Sequence, residues 1–522
     1  VKPRAFCCGK ALEIICVKRA VGKVILVGAG PGDPALLTLR GRQALESCDT
    51  VLYDEIVHPD ILRWAPAKAD RVYVGKKSGF HSVPQDQINH RLANLARSGK
   101  TVVRLKGGDP YIFGRGAEEA AYLDRCRIPF EVIPGIPSPV GCAAYAGIPL
   151  TERTAASRLT FITAHHAESS EKPIPWKALH ASSDTLVIFM GMKRLAEVCA
   201  QLIRAGFKPS TPAAVVSRGT WPSQTTTVGS LKTLPEITAR HKVEPPALVI
   251  VGAVAALKNK LNWYERQPLF GKRIVITRAR SQASSFREKL TSLGAQAIEL
   301  PTIEIHPPSD YSELDLAIRN IPAQDWVVFT SVNGVDYFFE RLRQRHRLDA
   351  RHLAGVKIGA VGEATRERLK SHGIEVDLTP KEYTSEALAK ALVKKAARGS
   401  KLLLIRPRVA PPKFADTLKR QGMQVTQATG YETMSPRAEI RRVYREVIAR
   451  GADAVVFTSS STATHLAEAL GKMEFLKFVK KTKIFSIGPQ TSRTLKKLGA
   501  KVHRQSAEAT IPGLIRTLEN AS

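Results

Sequence analysis

A chain of 522 residues is too long for one ordinary core, so two to four domains are expected. Hydrophobic residues make up 43% and aromatics 6%, the profile of a globular protein, and no apolar run reaches the roughly 18 residues of a membrane span. The net charge of +32 suggests nucleic acid as a partner, yet the basic residues are spread along the chain and no RRM, KH or zinc-finger signature gathers them. A polyanionic small substrate, or nothing beyond solvated basic faces, explains the charge equally.

Residues 1–22 contain Lys, Arg and Cys without a long apolar core or a small-residue cleavage site, and are read as a poorly ordered lead-in rather than a secretory signal. All seven cysteines fall at or before Cys199 and none form a CxxC pair. That usage points to a reduced, cytoplasmic protein with no metal site.

Lys23-Val24-Ile25-Leu26-Val27 reads as a strand, followed by the loop Gly28-Ala29-Gly30-Pro31-Gly32-Asp33-Pro34. The loop fails the dinucleotide fingerprint twice. Asp33 stands at the sixth position, and Pro31 lacks the N–H that would cradle a pyrophosphate, so a nicotinamide cofactor is disfavoured. Thr50 to Asp54 is the next strand, ending on an acid, and Arg71 to Lys77 ends on bases. Val102-Val103-Arg104-Leu105-Lys106 then leads into Gly107-Gly108-Asp109-Pro110, with Gly114 and Gly116 close behind. Ligands of open α/β sheets bind outside the carboxyl ends of the strands, which would place Asp54, Lys76 and Asp109 in one crevice. Gly107 and Gly108 would let a ligand approach the main chain. Any one of these charges, taken alone, is an ordinary solvated strand end.

Phe130 to Ile133 is a further strand, leading into Pro134-Gly135-Ile136-Pro137-Ser138, and Gly141 to Gly147 is a small-residue helix. A second α/β set runs through Leu159–Thr163, Thr185–Met190, Pro212–Val216 and Ala247–Val251. Over residues 23–263 the loop Gly28 to Pro34, the step Val74-Gly75-Lys76, the segment Gly107 to Gly116, Pro149-Leu150-Thr151 and Met190-Gly191 resemble, in order and spacing, uroporphyrinogen-III C-methyltransferase. The resemblance implies two α/β lobes holding S-adenosyl-L-methionine as co-substrate. It places cofactor contacts at Pro31, Gly107, Gly108, Asp109, Ile112, Pro137, Ser138, Met190 and Gly219, a proton acceptor at Asp54 and a proton donor at Lys76. The sequence departs from the family at Tyr111 (usually Phe), Pro137 (usually Thr), Ala164 (usually Gly) and Glu152 (usually His).

Trp263 to Gly271 reads as a linker, and beyond it the chain repeats itself. Ile274-Val275-Ile276-Thr277-Arg278-Ala279-Arg280 recurs as Leu402 to Arg408, Val327-Val328-Phe329-Thr330-Ser331 as Val455 to Ser459, and Ala360 to Thr365 as Ser486 to Thr491. The offsets are 406 − 278 = 128, 455 − 327 = 128 and 488 − 362 = 126. Two copies suggest a two-lobed molecule with a cleft. Arg278, Ser331, Arg406, Thr458 and Ser459 are the candidate carboxylate-binding residues, since hydroxyls and helix N-terminal N–H groups both donate to anions. At each single Thr-Ser step, a plain helix cap reads as well.

Residues 271–520 are similar to uroporphyrinogen-III synthase, on the Ile-Thr-Arg opening, the Thr-Ser strand ends, Tyr431, and Ser486-Ile487-Gly488. That resemblance implies closure of linear hydroxymethylbilane with inversion of its last ring, with Tyr431 aiding loss of the hydroxyl.

The expected fold class is therefore α/β, a two-lobed tetrapyrrole methylase domain followed by a two-lobed synthase domain of crossed, duplicated α/β units. The expected boundaries are 23–264 for the first domain (lobes about 23–135 and 136–264), 265–271 for a linker, and 272–522 for the second. Its lobes would be about 272–305 plus 435–522, and 306–434. The expected function is bifunctional: cyclisation to uroporphyrinogen III, then two methyl transfers giving precorrin-2 for sirohaem or cobalamin. The eight carboxylates of the tetrapyrrole would give part of the positive charge a purpose. The expected partners are small polycarboxylates, with neither nucleic acid nor membrane, and with room for a homodimer through the methyltransferase domain. The rival readings are the same methylase fold acting on another corrin intermediate or on RNA, and a non-catalytic nucleic-acid-binding protein.

Overall fold

The computed structural model describes residues 21–75, 83–164, 174–277, 280–302, 304–382 and 384–521. They form two compact units, one running to Gly271 and the other from Lys272, with Leu293–Gln296 grouped with the first.

The first unit carries two five-stranded sheets. Strands β1 (Lys23–Gly28), β2 (Thr50–Tyr53), β3 (Asp70–Tyr73), β4 (Thr101–Lys106) and β5 (Phe130–Ile133) lie in the order β3-β2-β4-β1-β5. All their pairings are parallel. A parallel sheet is covered on both faces, which is why β1 reads as an unbroken apolar run. Val27, Val51, Val103 and Leu105 bury on one face, and Val24, Leu26, Leu52 and Val102 on the other. Strands β6 (Leu159–Thr163), β7 (Thr185–Phe189), β8 (Pro212–Ser217), β9 (Thr225–Ser230) and β10 (Ala247–Val251) form the second sheet, ordered β6-β7-β10-β8-β9. Here β6 and β7 run parallel, and every pairing of β10, β8 and β9 is antiparallel.

Residues 263–270 do not form the expected linker. Tyr264 is buried against Tyr145 and Phe270, Trp263 Nε1 donates to Ala144 O at 3.0 Å, and Glu265 accepts from Gln224 and Thr226. Two adjacent aromatics and a carboxylate with waiting donors bind this stretch to the first unit.

The second unit contains β11 (Arg273–Ile276), β12 (Gln296–Glu299), β13 (Glu304–His306), β14 (Trp326–Phe329), β15 (Lys357–Ala360), β16 (Lys401–Pro407), β17 (Gln424–Met434), β18 (Ala454–Phe457), β19 (Lys483–Ser486) and β20 (Arg504–Gln505). They make two sheets, β12-β11-β18-β19-β20 and β13-β17-β16-β14-β15. The duplication is written into the register. Val455 pairs with Val275, and Val327 pairs with Leu403, so 403 − 275 and 455 − 327 both equal 128. The first strand of each copy therefore lies beside the Thr-Ser strand of the other copy. The crossed, duplicated architecture follows from that exchange, and the chain passes between the sheets from β12 to β13 and from β17 to β18.

Candidate functional site

In the first unit the loops at the strand ends are stitched to one another. Gly108 N–H donates to Gly30 O at 2.8 Å, and Gly30 N–H returns a bond to Gly108 O at 3.2 Å. Gly108 holds φ +69, and a Cβ there would lie 3.0 Å from Ser138 Oγ, so Pro137 and Ser138 stand directly against it. Pro31 packs on Gly141, and Gly219 on Cys142, two neighbours in the helix Ser138–Ala146. Burial pushes the Cys142 thiol up to about 12, so it packs as a small apolar group. Asp33 N–H donates to Thr220 Oγ1 at 2.9 Å, and its carboxylate accepts from the Tyr145 hydroxyl at 2.8 Å. The first of these bonds ties the loop after β1 to the loop after β8, and the second ties it to the helix Ser138–Ala146.

Pro31, Gly107, Gly108, Asp109, Pro137, Ser138 and Gly219 thus come together around the loops that follow β1, β4, β5 and β8. Asp109 braces the main chain: Oδ1 accepts from Tyr111 N–H at 2.8 Å and Oδ2 from Gly135 N–H at 3.0 Å. Ile112 and Met190 flank the ring pair Phe113–Phe189, whose centroids are 4.8 Å apart. Both are partly exposed, and Tyr111 is 50% exposed. Phe113, Arg115, Met190, Arg218 and Thr220 all hold positive φ, a conformation that bulky residues keep only where their surroundings enforce it.

Asp54 follows β2. Its Oδ2 lies 3.4 Å from Arg104 Nη2, and its Oδ1 is enclosed with no hydrogen-bond partner. Two residues on, Ile56 lies against Gly107; a Cβ on Gly107 would fall 2.6 Å from Ile56 Cγ2. Lys76 lies outside the described residues.

Behind Asp54 is a buried ionic cluster that the sequence reading missed. Glu119 is fully buried, and its Oε1 accepts from Arg104 Nε at 3.1 Å, Lys106 Nζ at 3.0 Å and Gln85 Nε2 at 3.1 Å, while Oε2 has no partner. Arg104 and Lys106 are each 4% exposed. Burial, then the Arg104 charge, pull the Lys106 ammonium below the usual lysine range, and Glu119 opposes them. The available signal was two cations at i and i+2 inside an apolar strand, which puts both on one face of β4. A glutamate in the first turn of the following helix, Gly116–Arg125, completes the pattern.

In the second unit Tyr431 is 7% exposed and stacks on Tyr337, with centroids 6.5 Å apart at 21°. Burial pushes the phenol above its usual range, and Ser331 and Asn333 oppose that shift. Ser331 also caps its helix, accepting from Gly334 N–H at 3.1 Å, and Ser459 does the same for Thr462 N–H at 3.3 Å. Thr458 is half-buried beside Ser459. Arg406 is 8% exposed, with its guanidinium bonded to Gln427 and to Pro411 O. The structure therefore gathers Ser331 and Tyr431 on one sheet, puts Thr458 and Ser459 at the matching corner of the other, and points Arg406 into the protein. Arg278 lies outside the described residues.

Comparison with known proteins decides the family. The model for Tetrapyrrole (Corrin/Porphyrin) Methylases matches residues 23–235, and that for Uroporphyrinogen-III synthase HemD matches 284–516. The porphyrin biosynthesis protein HemD of Ruminiclostridium josui is 37% identical over 441 residues, 84% of this chain and 87% of that protein. The chain belongs to the family of fused uroporphyrinogen-III C-methyltransferases and synthases. Its first unit is the methyltransferase and its second the synthase. The siroheme synthase of Ectopseudomonas mendocina (strain ymp) is 52% identical over 247 residues, 47% of this chain and 53% of that protein, so this chain spans about half the length of such relatives. The uroporphyrin-III-C-methyltransferase structure from Thermus thermophilus is 40% identical, covers 47% of this chain and 98% of its own, and has a TM-score of 0.40. Among the described residues no helix is long and apolar enough to cross a membrane.

Proposed function

We propose that the second unit closes hydroxymethylbilane to uroporphyrinogen III with inversion of ring D, and that the first unit methylates this product twice to precorrin-2, which feeds sirohaem or cobalamin synthesis. S-adenosylmethionine supplies an electrophilic methyl group. The residues fit it: Gly108 brings main chain up against Ser138, where a Cβ would crowd Ser138 Oγ at 3.0 Å, so the wall there is backbone and a small hydroxyl. Pro31, Gly107, Gly108, Asp109, Ile112, Pro137, Ser138, Met190 and Gly219 hold this co-substrate, with Asp109 acting through the loop it braces.

Methyl transfer joins a pyrrole carbon to the methyl and leaves the macrocycle with a proton to lose. Asp54 takes it, and Lys76 is the assigned proton donor. Asp54 is the observation that carries this reading. One carboxylate oxygen is held by Arg104, while the other is enclosed, unpartnered and on the loop that covers Gly107. A base needs a free lone pair and a fixed orientation, and Asp54 has both. In the synthase unit, Tyr431 aids loss of the bilane hydroxyl, and Ser331, Thr458 and Ser459 are placed to receive carboxylates at helix N-termini. Arg278 and Arg406 complete the proposed set, Arg406 by shaping the β16 end rather than by direct contact.

Supplying hydroxymethylbilane and S-adenosylmethionine to the full chain should yield a dimethylated product by mass analysis. Accumulation of unmethylated uroporphyrinogen III would reject the first assignment, and isomer I alone would reject the second.

A further inference from the structure

We propose that Glu119 is a positioning residue of methyl transfer, drawing the charges of Arg104 and Lys106 away from Asp54 so that one Asp54 oxygen stays free to take a proton. The inference rests on the reading of Asp54 as the base given above.

The arrangement begins in β4. Residues two apart on a strand share a face, so Arg104 and Lys106 follow Val102 onto one side of the sheet, and each is 4% exposed. β2 runs parallel to β4 with Tyr53 opposite Leu105, so Asp54, the next residue, leaves the sheet level with Lys106. Two buried cations therefore meet one strand-end carboxylate. Were Asp54 their only counter-charge, both would close on it, and charge-assisted bonds would occupy the oxygens that a substrate proton needs.

Glu119 prevents this. It sits in the first turn of the helix Gly116–Arg125, fully buried, and its Oε1 accepts from Lys106 Nζ at 3.0 Å and Arg104 Nε at 3.1 Å. Arg104 gives Nη1 to Leu105 O at 3.1 Å and keeps only Nη2 for Asp54, at the longer distance of 3.4 Å. Asp54 Oδ1 is left enclosed and unpartnered. The two cations and two carboxylates sum to zero, so the free oxygen is kept by balance rather than by distance from charge. Burial, then Arg104, lower the Lys106 ammonium, while Glu119 and after it Asp54 raise it, so the four groups act on one another. Tyr73 on β3 and Glu55 are the other titratable groups facing Asp54 among the described residues. Arg115, on the loop before the helix, is taken by Glu118 at 2.8 and 2.7 Å, and Gln85 is neutral.

The test follows methyl transfer to supplied uroporphyrinogen III in the full chain, as kcat/KM against pH. The acidic limb reports the base, and the substrate's own carboxylates titrate alike in every variant, so shifts between variants belong to the protein. Glu119→Gln keeps the shape but leaves the cluster one positive charge in excess. Both cations then turn to Asp54: the acidic limb should move to lower pH by about one unit, and kcat should fall about tenfold or more, because a carboxylate held by cations is a weaker base. Lys106→Met leaves one negative charge in excess, and its limb should move to higher pH. The double variant Glu119→Gln with Lys106→Met is balanced again, and its limb should return to the parent position although the packing is not restored.

A Glu119 that served packing alone would lower activity without opposite shifts. Limbs that stay in place, or move the same way in both single variants, overturn the proposal, as does a double variant that keeps the Glu119→Gln limb. Should Glu119→Gln not fold, Lys106→Met decides, and a limb that does not rise is fatal. Parental methyl transfer in Asp54→Asn would instead sink the underlying role of Asp54.

Discussion

The two units fix the side chain proposed to handle a proton by opposite means. In the methyltransferase, Asp54 is oriented by charge: Arg104 reaches it, and Arg104 is itself gripped by buried Glu119, which Lys106 and Gln85 share. In the synthase, Tyr431 is oriented by shape, through a register break at Gly430 and a stacked Tyr337. The difference predicts different modes of failure. An ionic cluster in a low-dielectric interior loses a great deal when one member is removed, because the others stay charged and unpaired. A neutral geometric device loses rate before it loses stability.

The largest expected effect is at Asp54 itself. Asp54→Asn should lower methyl transfer to uroporphyrinogen III by about 10²–10⁴-fold, the usual contribution of a positioned base, while synthase turnover in the same chain persists. Methyl transfer within a few-fold of the parent would remove Asp54 from the mechanism and, with it, the contrast drawn here.

Glu119→Gln comes next and tests the ionic side directly. Neutralising the carboxylate leaves buried Lys106 without its counter-charge and Arg104 with Asp54 alone, at a cost of about 3–5 kcal/mol to the first unit. Adding Lys106→Met should recover part of that loss, since the two sites share one interaction. Thermal unfolding of the single and double variants measures both; strictly additive losses would show that the cluster does not act as a unit.

Neither device was legible as such in the sequence, although much around them was. The parallel strands read correctly because sheets covered on both faces demand apolar runs. The duplication was readable from a repeat at constant offset, and the crossing of its lobes only from the resemblance to the synthase family. What failed was partnership. Arg104 and Lys106 look like any strand charges until Glu119, 15 and 13 residues away, is seen against them. Arg406 reads as a carboxylate binder because it ends a repeated strand, yet Gln427 and Pro411 O hold its guanidinium. β9, with three threonines, lacks the apolar run that betrayed its neighbours, and pairing with β8 makes it a strand. Gly430 carried no signal either, because a bulge is a property of two strands.

Gly430→Ala tests the geometric side. The added methyl meets Ile405 Cγ2, and overpacking of this kind costs about 1–3 kcal/mol. Because the easiest relief is to shift Tyr431 off the Tyr337 ring, synthase kcat should fall further than stability, with methyl transfer unchanged. Wild-type synthase turnover in this variant would mean that the bulge does not deliver Tyr431.

The smallest effect comes from a surface counterpart of the Glu119 cluster, within the synthase unit. Asp315 accepts from Arg341 at 2.8 and 2.6 Å and from His346 at 2.9 Å. The Arg341 bonds, then His346, hold its carboxyl at about 2, against an ordinary 3.8. A carboxyl with a depressed folded value stabilises fully above its unfolded value and loses that contribution as pH falls through the folded one. Unfolding of the second unit should therefore become easier between about pH 4 and pH 2, and Asp315→Asn should flatten that slope. The pair is partly solvated, so the contribution at neutral pH should be about 1–2 kcal/mol, well under that of Glu119. Equal losses at the two sites would mean that burial does not set the strength of these ion pairs, the premise on which the contrast between the units stands.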